Sequence, residues 1–114
     1  MKTEEMEDTK CMWEIYVPTI SNEGKPFRTR YHRVWDSKVR EISGGLTILR
    51  PAIGQWISDE GELFKERMIP VRIMCTRDDI NKIIDFTMTY YSQKAVLAYC
   101  ISTECLLKSA DDIV

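Results

Sequence analysis

The chain has 114 residues, a formal net charge of −2, 44% hydrophobic residues and 30% charged residues. This length holds one domain with a single hydrophobic core, and the composition is that of a globular protein rather than a disordered or fibrous one. No apolar run approaches the roughly 18 residues of a membrane-spanning helix, so the sequence predicts no membrane association.

The first ten residues, MKTEEMEDTK, are acidic and lack the apolar segment of a secretory signal. Residues 1–10 are therefore predicted to form a flexible acidic tail, followed by one domain at 11–108 and a loose end at 109–114. Four cysteines are present without a C-x-x-C pair, and a single histidine accompanies them. We predict free thiols, a cytoplasmic location, no metal site and no cofactor.

The first two elements are predicted by a change of apolar spacing. Trp13, Ile15 and Val17 alternate with their neighbours, as in a strand with one face on the core, and Pro18 ends this strand. A helical stripe follows, and Gly44 suits the left-handed cap at its end. The apolar residues of this stripe are Phe27, Tyr31, Val34, Trp35, Val39 and Ile42.

The stretch GGLTILRPAIGQW predicts a second strand that starts at Leu46, with Pro51 and Gly54 inside it. Proline removes a ladder donor and glycine permits a bulge, so this strand is expected to bend at a sheet edge. The turn SDEGE joins it to a returning strand, LFKERMIPVRIMC, whose Pro70 must lie at a bulge or past the partner's end. The glycines follow a helix and match neither G-x-G-x-x-G nor G-x-x-x-x-G-K-[ST], which excludes P-loop and Rossmann nucleotide sites.

The last helix and strand complete a recognisable order. Thr76 and Asp79 form an N-capping pattern, and alternation from Val96 to Ile101 predicts the final strand. The buried stripe of the helix is Ile80, Ile83, Ile84, Thr87 and Tyr91. The order β-α-β-β-α-β predicts the α+β class: a ferredoxin-like split βαβ sandwich, with a four-stranded antiparallel sheet and two helices on one face.

The sheet face without helices is predicted to be too apolar to stay in water. Self-association through this face or the bent edge is therefore expected, most commonly as a two-fold dimer. Tyr16 and Tyr99 also resemble a base-stacking platform, but no RNA-recognition signature is present and the sequence pI is 5.4, so nucleic-acid binding is disfavoured. The residues predicted on this face are Tyr16, Leu49, Met68, Met74, Leu97 or Ala98, and Tyr99 or Cys100, with Arg72 and Glu14.

Positive charge is concentrated between residues 25 and 50. Seven basic residues stand there against only Asp36 and Glu41. Such a cluster forms either a solvated helix face or a surface that attracts an anion. Arg28, Arg30, His32 and Arg50 are predicted to supply charge to an anionic ligand, and Trp56 or Tyr99 to stack on its ring. Arg28 and His32 are four residues apart and are therefore expected to share one side of the helix.

The sequence offers little for catalysis. His32 lies at the margin of a helical stripe, and no Ser-His-Asp or Cys-His arrangement follows from the spacing. No catalytic residue is therefore assigned, and a non-enzymatic protein is favoured. The enzymatic alternative is a small dimer with a cavity between sheet and helices, where a His or Tyr acts as acid or base.

The segments EIYVPTISNEGKPF, GGLTIL, GQW and SDEGELFKERMIPVRI resemble, over residues 13–101, small ferredoxin-like proteins of bacteria and their phages, a group without an established activity. The resemblance implies an accessory protein that neutralises a host protein or sequesters a small molecule. We therefore expect a homo-oligomeric binding protein for an anionic small molecule such as a nucleotide. An interaction module or inhibitor of a host protein is the alternative.

Overall fold

The computed structural model describes residues 9–112, and its elements follow the predicted order. The sheet is antiparallel with the order β2-β4-β1-β5, and β3 pairs with the first part of β4. This arrangement confirms the predicted α+β, ferredoxin-like class. The elements are β1 (Cys11–Pro18), α1 (Thr29–Ser43), β2 (Thr47–Ile48), β3 (Ala52–Ile57), β4 (Leu63–Cys75), α2 (Arg77–Tyr90) and β5 (Ala98–Ser102).

The core lies between the two helices and one face of the sheet. β1 pairs with β4 from Cys11, opposite Cys75, to Pro18, opposite Met68. Residues directly opposite in an antiparallel pair share a face, so the alternating apolar residues of both strands meet the helices together. The buried core consists of Trp13, Ile15, Val17, Trp35, Val39, Val71, Ile73, Cys75, Ile80, Ile83 and Tyr91.

Both helices end or begin with the predicted caps. Gly44 has φ 91° and its N–H donates to the carbonyl oxygen of Arg40 at 2.8 Å, which confirms the left-handed C-cap of α1. The Thr76 side chain accepts the N–H of Asp79 at 3.1 Å, which confirms the N-cap of α2. Phe27 was predicted to belong to the helical stripe, but it lies before α1. Its N–H donates to the carbonyl oxygen of Thr19 at 3.0 Å, in an extended segment.

The predicted second strand is divided into β2 and β3, so the sheet has five strands where four were predicted. β2 ends opposite Val71, whereas β3 begins opposite Met68. Residues 49–51 therefore lie opposite only two residues of β4, and the extra residue forms a bulge. The N–H of Leu49 bonds the carbonyl oxygen of Pro70 at 2.9 Å, which places the missing N–H of Pro70 at the interruption. The bulge explains how Pro70 is tolerated within β4. The position of β2 at the edge of the sheet agrees with the edge position predicted for the second strand.

The predicted N-terminal tail falls largely outside the described residues, whereas most of the predicted C-terminal end is described. Of the tail at 1–10, only residues 9 and 10 are described. The predicted loose end at 109–114 contains a short 3-10 turn, Ala110–Asp112. The domain boundaries stay predictions.

A buried hydrogen bond between the helices provides a test of the packing. Trp35 Nε1 donates to Thr87 Oγ1 at 2.9 Å, and the Thr87 hydroxyl donates to the carbonyl oxygen of Ile83. Thr87→Val keeps the shape but leaves the buried indole N–H without an acceptor. We expect this change to lower the free energy of unfolding by about 1–3 kcal/mol, measured by urea denaturation.

Thr89→Val is the matched control, because Thr89 is exposed on the same helix. We expect the control to change the free energy of unfolding by less than about 0.5 kcal/mol. Equal losses in the two variants would show that the buried hydrogen bond is not what matters at residue 87.

Candidate functional site

Aromatic side chains join the start of α1 to the end of α2. The Tyr31 ring stacks on Tyr90, with centroids 4.2 Å apart, and on Phe27, with centroids 5.1 Å apart. The Tyr31 hydroxyl donates to the carbonyl oxygen of Tyr90, and the Tyr90 hydroxyl donates to that of Tyr31 at 2.9 Å. These reciprocal bonds fix the place where the two helices meet.

A pocket of about 470 Å³ lies against these rings, and we call it the basic pocket. Its volume is within the roughly 300–1,000 Å³ of small-molecule sites. It combines stacked aromatic side chains with cations. The lining residues that matter here are Lys25, Phe27, Arg28, Arg30, Tyr31 and Tyr90.

The cations of the basic pocket are not neutralised by acidic partners among the described residues. Within residues 9–112, Lys25, Arg28 and Arg30 form no ion pair. The pocket also includes the N-terminus of α1, where Arg28 provides no side-chain cap and the first turn contains no acidic residue. The positive end of the α1 dipole adds to the attraction for an anion.

The structure brings Arg28 and Arg30 together at the basic pocket but separates them from His32. The two residues line different pockets, and their expected joint contact with one ligand stays a prediction. Arg28 is the N-cap of α1, with φ −72° and ψ 152°, and its carbonyl oxygen accepts the N–H of His32 at 3.3 Å.

The other three predicted ligand residues lie outside the basic pocket. Arg50 is exposed in the bulge between β2 and β3. Trp56 stacks on Phe64 in the β3–β4 hairpin, with centroids 4.5 Å apart. Tyr99 lies on the sheet face opposite the helices, where it bonds to Glu14. One subunit therefore does not assemble all six predicted residues into one site.

The aromatic wall of the basic pocket was not among the predicted ligand residues. Phe27 and Tyr31 belonged to the apolar stripe that predicted α1, and their spacing alone indicates a core face. Tyr90 reaches Tyr31 across 59 positions of sequence. The sequence did contain a local signal for this aromatic wall. Arg28 follows Phe27 and Arg30 precedes Tyr31, at the expected start of a helix.

His32 is half-buried, and its Nδ1 is hydrogen-bonded to the hydroxyl of Tyr91 at 2.6 Å. Tyr91 is itself buried, which raises the pKa of its phenol. Burial lowers the pKa of His32 below its ordinary value, and the nearby Asp36 carboxylate opposes this effect only in part. The imidazole is therefore neutral at neutral pH.

The sheet face away from the helices, the open face, holds a buried carboxylate. Glu14 is 5% exposed. Arg72 Nε donates to its Oε1 at 3.0 Å, Tyr99 donates to its Oε2, and the hydroxyls of Tyr99 and Tyr16 are 3.1 Å apart. Burial raises the pKa of Glu14, but the hydrogen bonds from Tyr99 and Arg72 outweigh it and lower the pKa overall. The network thus keeps an ionised carboxylate on a surface without helices.

The position of β5 decides between the alternatives predicted for the open face. β5 begins at Ala98 rather than at residue 96. Ala98 lies opposite Ile15, and Cys100 lies opposite Trp13, so both face the helices. Tyr99, opposite Glu14, is the residue on the open face.

Membrane-spanning helices and clusters of metal-ligating side chains are both absent from residues 9–112. No helix there is long and apolar enough to cross a membrane. No group of three or more His, Cys, Asp or Glu side chains in that range is placed to hold a metal ion. The cytoplasmic location expected from the free cysteines stays a prediction.

Comparison with known proteins establishes the fold alone. No family model and no curated protein sequence matches the chain. Among solved structures, the CutA1 divalent cation tolerance protein of Thermus thermophilus is similar with a TM-score of 0.62 at 10% identity, covering 90% of this chain and 89% of that one. The periplasmic divalent cation tolerance protein CutA of Archaeoglobus fulgidus gives 0.64 at 12% identity, covering 87% and 88%.

A phage protein has the same fold. The phage SAM lyase in complex with S-methyl-5'-thioadenosine gives a TM-score of 0.63 at 10% identity, covering 84% of this chain and 83% of that one. Proteins of similar fold therefore include bacterial and phage proteins, as the sequence resemblance implied, but these proteins have named activities, whereas the predicted group had none established. At these identities, activity and ligands do not transfer to this chain.

His32 is the only histidine, so its titration can be measured without ambiguity. We expect NMR of its Hε1 resonance to give a pKa in the folded protein below that in the urea-unfolded protein. Because the folded state binds this proton less tightly, the stability contributed by neutral His32 is present above the unfolded pKa of about 6.5. It is lost as the pH falls toward the folded pKa.

His32→Asn provides the control, since it removes the titrating group. We expect this variant to lose the part of the pH dependence of unfolding that lies between the two measured pKa values. A folded pKa equal to or above the unfolded one would contradict the prediction.

Proposed function

We propose that the protein is a homo-oligomeric, non-enzymatic binding protein whose basic pocket takes an anionic small molecule with a flat ring, such as a nucleotide. The observation that carries this proposal is the combination of unpaired cations and stacked aromatic rings in one pocket of about 470 Å³. Arg28 and Arg30 would bind the phosphate, for which guanidinium groups are suited. The ring would pack against Phe27 and Tyr31.

The structures of similar fold bear on this proposal only by analogy. One of them is a phage lyase in complex with S-methyl-5'-thioadenosine, a ligand with a purine ring. The names of others concern tolerance of divalent cations. The cations of the basic pocket would repel a metal ion, so the electrostatics of this pocket favour the anion.

The binding test uses AMP and isothermal titration calorimetry. A hydrogen bond to a charged group contributes roughly 1.5–3 kcal/mol, so Arg28→Ala or Arg30→Ala is expected to weaken AMP binding about tenfold or more. Raising the salt concentration should weaken binding to the unmodified protein as well.

Arg40→Ala is the matched control, because Arg40 is an exposed cation in the last turn of the same helix, outside the pocket. We expect this variant to bind AMP as the unmodified protein does. The proposal would be overturned by an absence of AMP binding, or by equal effects of Arg30→Ala and Arg40→Ala.

Self-association is the second part of the proposal, and the β3–β4 hairpin supports it. Ile53, Ile57 and Leu63 are 71%, 69% and 57% exposed, and Ile57 lies opposite Leu63. On the other side of the hairpin, Trp56 and Phe64 are also exposed. A sheet edge that is apolar on both sides is a surface for another chain. We take that chain to be a second copy.

Replacing two isoleucines of the hairpin tests this assembly. In native mass spectrometry, the unmodified protein is expected at a multiple of the 13.4 kDa subunit mass. Ile53→Thr combined with Ile57→Thr removes apolar area while keeping good strand formers, so the assembly should shift to the monomer. Leu106→Thr, at an 87% exposed residue outside the hairpin, should leave it unchanged. An unmodified protein that is monomeric at all concentrations would contradict the assembly.

The exposed edge also favours one alternative function. β3 pairs only with β4 among the described residues, so its outer edge is free to add a strand from another protein. This is the interaction module, or inhibitor of a host protein, that the sequence left open. A monomeric protein with this edge exposed would favour it over the oligomeric binding protein.

A further inference from the structure

A second pocket, of about 230 Å³, lies between α1 and the sheet and shares no lining residue with the basic pocket. We call it the His32 pocket. Its apolar side is formed by Val17, Ile48, Ile69 and Val71. The volume is below the roughly 300–1,000 Å³ of drug-sized sites, so its ligand must be smaller than a nucleotide.

Two opposite charges line the His32 pocket side by side. Arg33 and Asp36 are three residues apart on α1, which places them on one side of the helix. Within residues 9–112, neither side chain forms an ion pair with the other or with any other residue. Asp36 is half-buried, and burial raises the pKa of its carboxyl. The pocket thus presents an unpaired carboxylate and an unpaired guanidinium beside an apolar surface.

Besides Thr29, a further polar side chain that lines the pocket is that of His32. Its Nδ1 is engaged by the buried Tyr91 hydroxyl at 2.6 Å, which fixes the ring on this side of α1. Because the imidazole is neutral at neutral pH, it adds no charge to the pair formed by Arg33 and Asp36. Among the residues that line the pocket, Arg33 and Asp36 therefore balance in charge, and Arg40, four residues after Asp36, adds a further cation near this carboxylate.

We propose that the His32 pocket binds a small zwitterion, an α-amino acid with an apolar side chain. Arg33 would bind the carboxylate, Asp36 the ammonium group, and the side chain would lie on the apolar surface formed with Ile48 and Ile69. An α-amino acid carries its ammonium and carboxylate groups on the same carbon, so both groups can face Arg33 and Asp36, which lie on one side of α1. A simple carboxylate leaves Asp36 without a partner, and a simple amine leaves Arg33 without one, so both should bind more weakly.

The test uses L-leucine as the probe and the Hε1 resonance of His32, the only histidine, as the reporter. Leucine is expected to cause a saturable change of this chemical shift in the full-length protein. Isovalerate and isoamylamine, which each lack one of the two charges, should bind at least about tenfold more weakly, the loss expected for one charged hydrogen-bond partner.

Conservative variants separate the two charges. Arg33→Gln and Asp36→Asn should each weaken leucine binding about tenfold or more. Lys82→Gln, an exposed residue on α2 outside both pockets, should leave it unchanged. Thermal unfolding gives an independent readout, because leucine should raise the midpoint of the unmodified protein more than that of Asp36→Asn.

Three results would overturn the proposal. They are the absence of a saturable shift with leucine, binding of isovalerate as tight as that of leucine, and unchanged leucine affinity in Asp36→Asn. The basic pocket is tested separately with AMP, so failure at one pocket does not decide the other.

Discussion

The pairing of β1 with β4 is the constraint on which the rest of the structure depends. Its register places Ile15 opposite Val71 on the core side and Glu14 opposite Arg72 on the open face. A slip of one residue would turn every side chain of β1 to the other face and place the Glu14 carboxylate among the helices. Both the buried core and the ionised network on the open face therefore select the same register.

Much of the fold could be predicted from sequence because its signals are local. Alternating residues predicted β1, and the Gly44 and Thr76 caps have the predicted hydrogen bonds. The division of the second strand was not predicted in full, although Pro51 indicated a bend. Its cause is the pairing partner: Pro70 lacks an N–H at the point where the bulge interrupts the ladder. That coincidence depends on register, which local patterns do not give.

The sites were predicted less well than the fold, and for a physical reason. Arg28 and Arg30 could be placed at one site because most of the residues that line the basic pocket are close together in sequence, between 21 and 34. Tyr90 could not be placed at this pocket from the sequence, because it reaches the pocket only through the packing of α2 on α1. His32 was correctly placed at the margin of the helical stripe. Its partner Tyr91 could not be inferred, because this contact also joins the two helices.

The same contacts determine how the two pockets relate to each other. Tyr31 belongs to the basic pocket and His32 to the other pocket, yet these neighbours bond to the consecutive residues Tyr90 and Tyr91. A ligand that coupled the pockets by moving α1 relative to α2 would have to break the reciprocal bonds and unstack the rings. Coupling between sites requires two alternative arrangements of the element that joins them. The bonded helix pair favours one arrangement, so a ligand at one pocket is expected to leave the shape of the other unchanged.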